Sequence, residues 1–243
     1  MGSASMKKST MDIGGNRTGL GTAPQLAKEL IEGAVEMGPN PDGGPELANE
    51  ERAVYISEGF PVGSLPTLPV AEEGKADEEV TEMAVFMDKL GERLAFERMG
   101  TRLYDALINK CETLGEETDS GPTIAELEEI RDEEHRHFLL LNEAITSLGG
   151  DPTVQTPCAD VSAVASLGIM QVLMDPRTTV TQCLNAILTA ELTDNAGWEM
   201  LIDLAGEFGH ADLEGQFTEA LDNEQKHLLN VQSWLSDGIM ASV

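Results

Sequence analysis

The sequence predicts an all-α protein: an antiparallel four-helix bundle with one long crossover, preceded by a Gly- and Pro-rich N-terminal segment. Three observations carry this expectation. Aromatic residues make up only 4% of the 243 residues, and the apolar remainder is mainly Leu, Ala, Ile, Val and Met, a mixture that favours helix over sheet. From about Ala76 onward, apolar positions recur at spacings of three and four in four separate stretches. The first two and the last two stretches are joined by short loops, while about 28 residues separate the middle pair.

Residues 1–76 hold 12 of the 24 Gly and 7 of the 11 Pro. They read as extended or turning chain, a strap lying on a folded domain. Ala23–Glu36 is one stretch able to form a short helix, and Val54, Tyr55, Ile56, Phe60 and Leu65 are candidate anchors. The opening Met-Gly-Ser-Ala-Ser-Met has no hydrophobic stretch, so no signal peptide is expected and these residues are set aside from the fold. Residues 77–243 form the bundle.

In the first helix of the bundle the stripe is Met83, Phe86/Met87, Leu90, Leu94, Glu97, Thr101, Tyr104, Ile108 and Cys111, with Gly115 as its stop. Thr123 with Glu126 is a capping box that opens the second helix. Its stripe runs Leu127, Ile130, Glu134, His137/Phe138, Leu141, Ile145 and Leu148, and it stops at Gly149-Gly150. The third begins near Thr179, with Gln182 three residues later, and runs through Leu184, Ile187/Leu188, Glu191, Asp194/Asn195, Trp198, Leu201/Ile202 and Ala205. The fourth follows Gly209 through Phe217, Leu221, Glu224, His227/Leu228, Val231 and Leu235, ending at Gly238. Short loops make each pair an antiparallel hairpin. The long connection contains a further apolar piece, Ala165–Met174, and is long enough to cross the full height of a bundle.

The two halves repeat each other. Leu94-Ala95-Phe96-Glu97 with Tyr104 matches Leu188-Thr189-Ala190-Glu191 with Trp198. Asp132-x-Glu134-x-x-His137 matches Asp222-x-Glu224-x-x-His227. The Glu-to-Glu spacings are 37 and 33 residues, and the four extra residues fit in the 115–122 loop.

Composition excludes several function classes. The net charge is −29, with 15 Lys and Arg against 44 Asp and Glu. No basic face is available to neutralise phosphates, so a nucleic-acid partner is not expected, and docking on anionic lipid is disfavoured. No apolar run approaches the roughly 18–20 residues of a membrane span. Cys111, Cys158 and Cys183 are far apart, which excludes a disulfide framework, a zinc ribbon and a rubredoxin-type iron site. A reducing compartment, and hence a cytoplasmic location, is the simplest reading.

Each of the four stripes carries one carboxylate where a core residue is due: Glu97, Glu134, Glu191 and Glu224. One ionised carboxylate buried without a partner costs several kcal/mol, and four facing one another repel. Two divalent cations would cancel their charge. Two stripes add His137 and His227 at i+3, on the same helical face as the Glu before them. Two Glu plus two Glu-x-x-His pairs is a di-iron or di-manganese ligand pattern.

With Phe96-Glu97-Arg98, Glu134-His135-Arg136-His137, Ala190-Glu191-Leu192 and Glu224-Gln225-Lys226-His227 in place, residues from about 76 onward resemble the ferritin-like superfamily of di-iron carboxylate proteins. The resemblance implies Glu97 and Glu191 as the carboxylates of helices one and three, Glu134 and Glu224 as bridging or chelating ones, and His137 and His227 as terminal nitrogen ligands. Asp194 lies three residues after Glu191, at the offset where rubrerythrin-type members carry an additional carboxylate, but it is shorter than Glu. It is either an extra ligand or a carboxylate bonded to a ligand or solvent. The rubredoxin domain of rubrerythrin and the fifth helix of the cage-forming ferritins have no counterpart here.

The implied cofactor is two iron ions, with manganese or a mixed iron–manganese pair equally compatible with the donors. The implied chemistry is oxidation of Fe(II) by O2 or H2O2, as a ferroxidase or peroxidase, in iron handling or oxidative-stress defence. Two other classes stand beside it. One is a di-iron oxygenase acting on an organic substrate, for which small residues Gly100, Ala190 and Gly197 would have to leave room. The other is a non-enzymatic metal-binding, storage or assembly protein, as a homo-oligomer whose strap mediates association.

Tyr104 and Trp198, seven residues after Glu97 and Glu191, are expected in the core or beside the ligands. Asp132 and Asp222 are either solvent-facing or bonded to a histidine of the other motif. His135 and His210 fall off the stripes and are expected to be exposed, and Arg136 and Lys226 to pair with surface acids. Pro61-Val62-Gly63-Ser64-Leu65-Pro66 faintly resembles the Gly-Ser-Leu packaging tags of encapsulin cargo, but it is internal and flanked by Pro, so an extended anchoring strap is favoured over a shell partner.

Overall fold

A computed structural model describes residues 24–38, 44–59, 62–65, 77–115 and 121–241, with backbone alone for Pro45 and 77–82. The expectations for the opening Met-Gly-Ser-Ala-Ser-Met, for Phe60 and Pro61, and for extended or turning chain at 39–43 and 66–76 lie outside the described residues. The chain divides into two compact units, residues 1–60 and 61–243. Among the described residues there are seven helices and no strand.

The first unit holds α1 (Pro24–Met37) and α2 (Pro45–Glu58). The first is the short helix expected from residues 23–36. The second stands where extended chain was expected. Pro45 occupies its first turn, where a missing N–H is harmless, and residues 46–58 contain no Gly or Pro and several strong helix formers.

The second unit begins with residues 62–65, which lie as extended chain against the start of a later helix. Ser64 N–H donates to the Gln155 carbonyl at 3.0 Å. Gly63 has φ +102°, and a Cβ there would stand 2.6 Å from that carbonyl oxygen, so only Gly fits.

The bundle consists of α3 (Asp77–Leu114), α4 (Ile124–Ser147), α6 (Val180–Glu207) and α7 (Ala211–Met240), with α5 (Pro157–Met174) inside the long connection. Extensive packing of α3 on α4, and of α6 on α7, makes the two hairpins, and α3 on α6 joins them. Both capping boxes form: Thr123 accepts from Glu126 N–H while the Glu126 carboxylate accepts from Thr123 N–H, and Thr179 with Gln182 does the same. Gly115 stops α3 at φ +65°. Gly238, expected to end the last helix, lies within α7. A Cβ there would be 2.8 Å from Thr181 Oγ1, so this Gly permits close approach of α7 to α6.

The apolar piece of the crossover extends back to Pro157. Thr156 caps it through Ala159 N–H, and Ala159, Ser166 and Leu173 are buried against α3 and α6. Among the described residues α5 is the one helix long and apolar enough, by length and composition, to cross a membrane. The expectation that no apolar run reaches that length is therefore corrected: Asp160 is the single charge in its 18 residues.

The buried apolar residues form two clusters. One contains Leu103, Leu107, Leu127, Ile187 and Val231, and the other Phe86, Leu90, Leu141, Leu201 and Phe217. On every bundle helix a belt of charged side chains lies between the two.

Candidate metal centre

The belt follows from helical phase. Glu97, Glu134, Glu191 and Glu224 occupy core positions of their stripes, and each is at most 2% exposed. His137 and His227 are buried beside them, one helical turn on. The structure brings all six together. Donor atoms within 4.8 Å of one another fall into three overlapping groups: Glu97, His137 and Glu224; Glu134, Glu191, Glu224 and His227; and Glu97, Glu134, Asp194 and Glu224.

Both histidines aim Nδ1 at the carboxylates. His137 Nδ1 lies 2.6 Å from Glu224 Oε1 and 3.7 Å from Glu97 Oε2. His227 Nδ1 lies 3.1 Å from Glu224 Oε2 and 3.7 Å from Glu134 Oε1. Tyr104 Oη donates to Glu191 Oε1. The Trp198 ring meets His137 edge-on with ring centres 5.5 Å apart.

Three contributors were not anticipated. Glu133 lies 2.7 Å from His227 Nε2 and orients that ring, the role considered for Asp132 and Asp222, both of which are exposed. Its position beside Glu134 in sequence was the available signal. Asn195 Nδ2 donates to the carbonyls of Glu191 (2.9 Å) and Glu224 (3.1 Å), tying α6 to α7 at the belt. Arg93 is 4% exposed, with Nε 3.0 Å from Glu97 Oε1 and Nη1 3.2 Å from Asp194 Oδ1. It stands one turn before Glu97 on the same face. Among the off-stripe residues, His135 is exposed, whereas His210 is half-buried and stacks on Phe86 at 5.4 Å. Arg136 pairs with Glu133 at 3.2 Å.

The space that an organic substrate would need beside Gly100 and Gly197 is filled. A Cβ on Gly100 would be 2.2 Å from Glu134 Oε2, and one on Gly197 would be 1.9 Å from Arg93 Nη1. These glycines make room for the belt's own side chains. A cavity of about 200 Å³ between α3, α5 and α6 has Arg93, Phe96 and Gly197 in its wall. Larger open grooves, about 560 and 650 Å³, are lined by none of the belt residues.

Packing so many acids together sets their protonation. Burial, then repulsion from Glu224, pushes Glu191 up to about 8. Burial likewise drives Glu134 well above the carboxylate range, reinforced by Glu224, and it drives Asp194 up against the pull of Arg93. At Glu224 burial is outweighed by His137 and His227, which hold it down at about 2. His137 rises to about 10, burial being overcome by Glu224 and Glu97. His227 is raised too, burial being overcome first by Glu133. Burial, then Glu191, lifts Tyr104.

The donor set fits divalent cations. Both oxygens of Glu97, Oε2 of Glu134 and of Glu191, Oε1 of Glu224 and Nδ1 of His137 are buried without a partner of hydrogen-bond geometry; Glu97 Oε1, Glu224 Oε1 and His137 Nδ1 have only the ion-pair contacts given above. Buried polar atoms normally find a partner, and a cation between these atoms supplies one to all of them. Carboxylate with imidazole suits iron, manganese or zinc rather than a soft-ligand site.

No curated protein and no solved structure matches the chain. Residues 122–240, from just before α4 to the end of α7, match the family model of the ferritin-like domain. That span contains Glu134, His137, Glu191, Asp194, Glu224 and His227, while Glu97 lies on the helix before it. The buried carboxylate–histidine cluster fits a metal-binding protein, and over residues 122–240 the all-helical bundle is similar to the ferritin-like domain.

Proposed function

We propose that Glu97, Glu134, His137, Glu191, Glu224 and His227 hold two iron ions and that the protein is a di-iron redox protein, oxidising Fe(II) with O2 or H2O2 in iron handling or oxidative-stress defence. The observation that carries this reading is the convergence, from four helices, of buried carboxylate and imidazole donor atoms within 4.8 Å of one another, several without a partner of hydrogen-bond geometry. A pair of iron ions supplies a two-electron change. Two Fe(II) and one H2O2 with two protons give two Fe(III) and two waters; with O2 and two protons the same electrons give H2O2.

The chain's own groups fit this task. Glu97, Glu134, Glu191 and Glu224 offset the cationic charge, and the proton held by Glu191 is released as cations arrive. Tyr104 donates to Glu191 and orients it. Glu133 fixes the ring of His227 through Nε2. The apolar clusters on either side of the belt keep bulk water out.

A small oxidant is favoured over an organic substrate because Gly100 and Gly197 face filled space. The cavity at Arg93 is also below the roughly 300–1,000 Å³ usual for larger ligands.

Metal content of purified, iron-supplemented protein is expected to be two ions per chain, lost in Glu224→Ala. Absence of bound metal in the wild type would sink the reading. Anaerobic Fe(II)-loaded protein is then mixed with O2 and, separately, with H2O2. Oxidation faster than in Glu134→Ala is expected with one of them, and equal rates with both oxidants would leave a binding protein without redox turnover.

A further inference from the structure

Arg93 is unusual for its setting, a guanidinium buried within a cluster proposed to collect cations. Its position is built rather than incidental. Nε pairs with Glu97 at 3.0 Å, and Nη1 pairs with the Asp194 carboxylate and donates to the Asp194 carbonyl, both at 3.2 Å. The guanidinium lies 4.0 Å over the Phe96 ring, and the missing side chain of Gly197 leaves the space for Nη1. Two helices and one glycine are shaped around it.

Charge counting assigns its role. The belt holds five buried carboxylates: Glu97, Glu134, Glu191, Asp194 and Glu224. Two divalent cations balance four of them, and Arg93 balances the fifth. Asp194, whose Oδ1 already faces Nη1, is the carboxylate matched to it. The guanidinium also stands unevenly between the two donor groups that contain a histidine. It touches Glu97, which belongs with His137 and Glu224. The other group, Glu134, Glu191, Glu224 and His227, has one more carboxylate, and Glu133 stands behind its histidine.

We propose that Arg93 is a positioning residue that keeps Asp194 out of the ligand set as its own counter-ion and, by its charge beside Glu97, makes the Glu97–His137 subsite the weaker of the two. This rests on the two-cation reading above and adds which subsite fills last and why. A cation at the weaker subsite meets a fixed positive charge that a cation at the other does not.

The test is titration of the full-length, metal-free protein with Mn(II), reading free Mn(II) by its EPR signal, so that no redox step intervenes. The wild type is expected to bind two Mn(II) in resolved steps. Arg93→Gln is expected to tighten the weaker step by about tenfold or more, and Asp194→Asn to weaken it by a similar factor. Arg93→Lys keeps the charge and is expected to stay within about threefold of the wild type. The double variant Arg93→Gln/Asp194→Asn removes both charges together, leaves no buried charge unpaired, and is expected to bind two Mn(II) within about threefold of the wild type.

A double variant that folds, by circular dichroism, but binds one Mn(II) would make Asp194 a ligand and overturn the proposal. So would a weaker step that loosens in Arg93→Gln. If the wild type binds two Mn(II) and the series moves nothing, this inference alone fails. If the wild type binds none, the metal-centre reading fails with it.

Discussion

Replacing Gly100 by Ala separates folding from metal binding more cleanly than removing a ligand does. The new methyl would stand 2.2 Å from Glu134 Oε2 and 2.8 Å from Glu134 Cδ, whereas ordinary contact begins at 3.4 Å. The Glu134 carboxyl must therefore retreat by about 1.2 Å. In the cation-free protein that retreat is cheap. The atoms that move are the far end of one side chain, and burial, then Glu224, shifts that carboxyl toward its uncharged form. The helix meanwhile gains up to about 1 kcal/mol from Ala over Gly. With cations bound the same movement is expensive, because ligand distances tolerate only about 0.2 Å. We expect unchanged or higher thermal stability in a chelator, together with a Mn(II) affinity about 100-fold lower at one subsite. Calorimetric melting with EDTA and the EPR titration report the two quantities separately. Unchanged Mn(II) affinity at both subsites would refute the placement of Glu134 in the centre.

Three further outcomes are expected. Because Glu191 is raised to about 8 and His137 to about 10, these two groups hold protons at neutral pH until a cation displaces them. Apparent Mn(II) affinity should then rise from about pH 6 to 8, with proton release visible as buffer-dependent heats in calorimetry; affinity flat across that range contradicts this. Glu133→Gln should lower affinity about 10- to 100-fold at the His227 subsite by weakening the Nε2 contact, and an unaltered titration would remove Glu133 from any role in the centre. Thr123→Ala breaks the capping box of α4 and should cost about 0.5–2 kcal/mol in urea unfolding while two cations still bind; loss of a cation there would mean that the centre depends on α4 far from the belt.

The bundle was legible because its signals are local. Stripes at three and four fix which face of each helix is buried, and Thr123–Glu126 and Thr179–Gln182 mark where α4 and α6 begin. The buried belt was legible for a related reason: a Glu in a core phase contradicts its surroundings, and Glu134 with His137, or Glu224 with His227, repeats the contradiction on one face. The rest depends on contacts between distant residues. Arg93 meets Asp194 across 101 positions, and Glu133 meets His227 across 94. No periodicity in one helix names a partner on another. Whether Gly100 and Gly197 leave room for a substrate is not legible in their own helices, which show only a missing side chain. What occupies the space, Glu134 and Arg93, comes from a facing helix. The helix α2 was missed because the Gly and Pro around it weighed more than the uninterrupted run of residues 46–58.

The belt has a consequence for how long the chain survives. Each of the three donor groups draws on both hairpins, so α3–α4 alone or α6–α7 alone owns no complete group. A cation in the centre is thus a clasp between the two halves. At a hundred times its dissociation constant, one bound cation adds about 2.7 kcal/mol to the folded state. A protease cut in the segment between α4 and α5 would leave two fragments whose cohesion rises and falls with available metal. On the proposed reading, iron supply would then govern the turnover of the polypeptide as well as its chemistry, and starved cells would degrade the idle protein first.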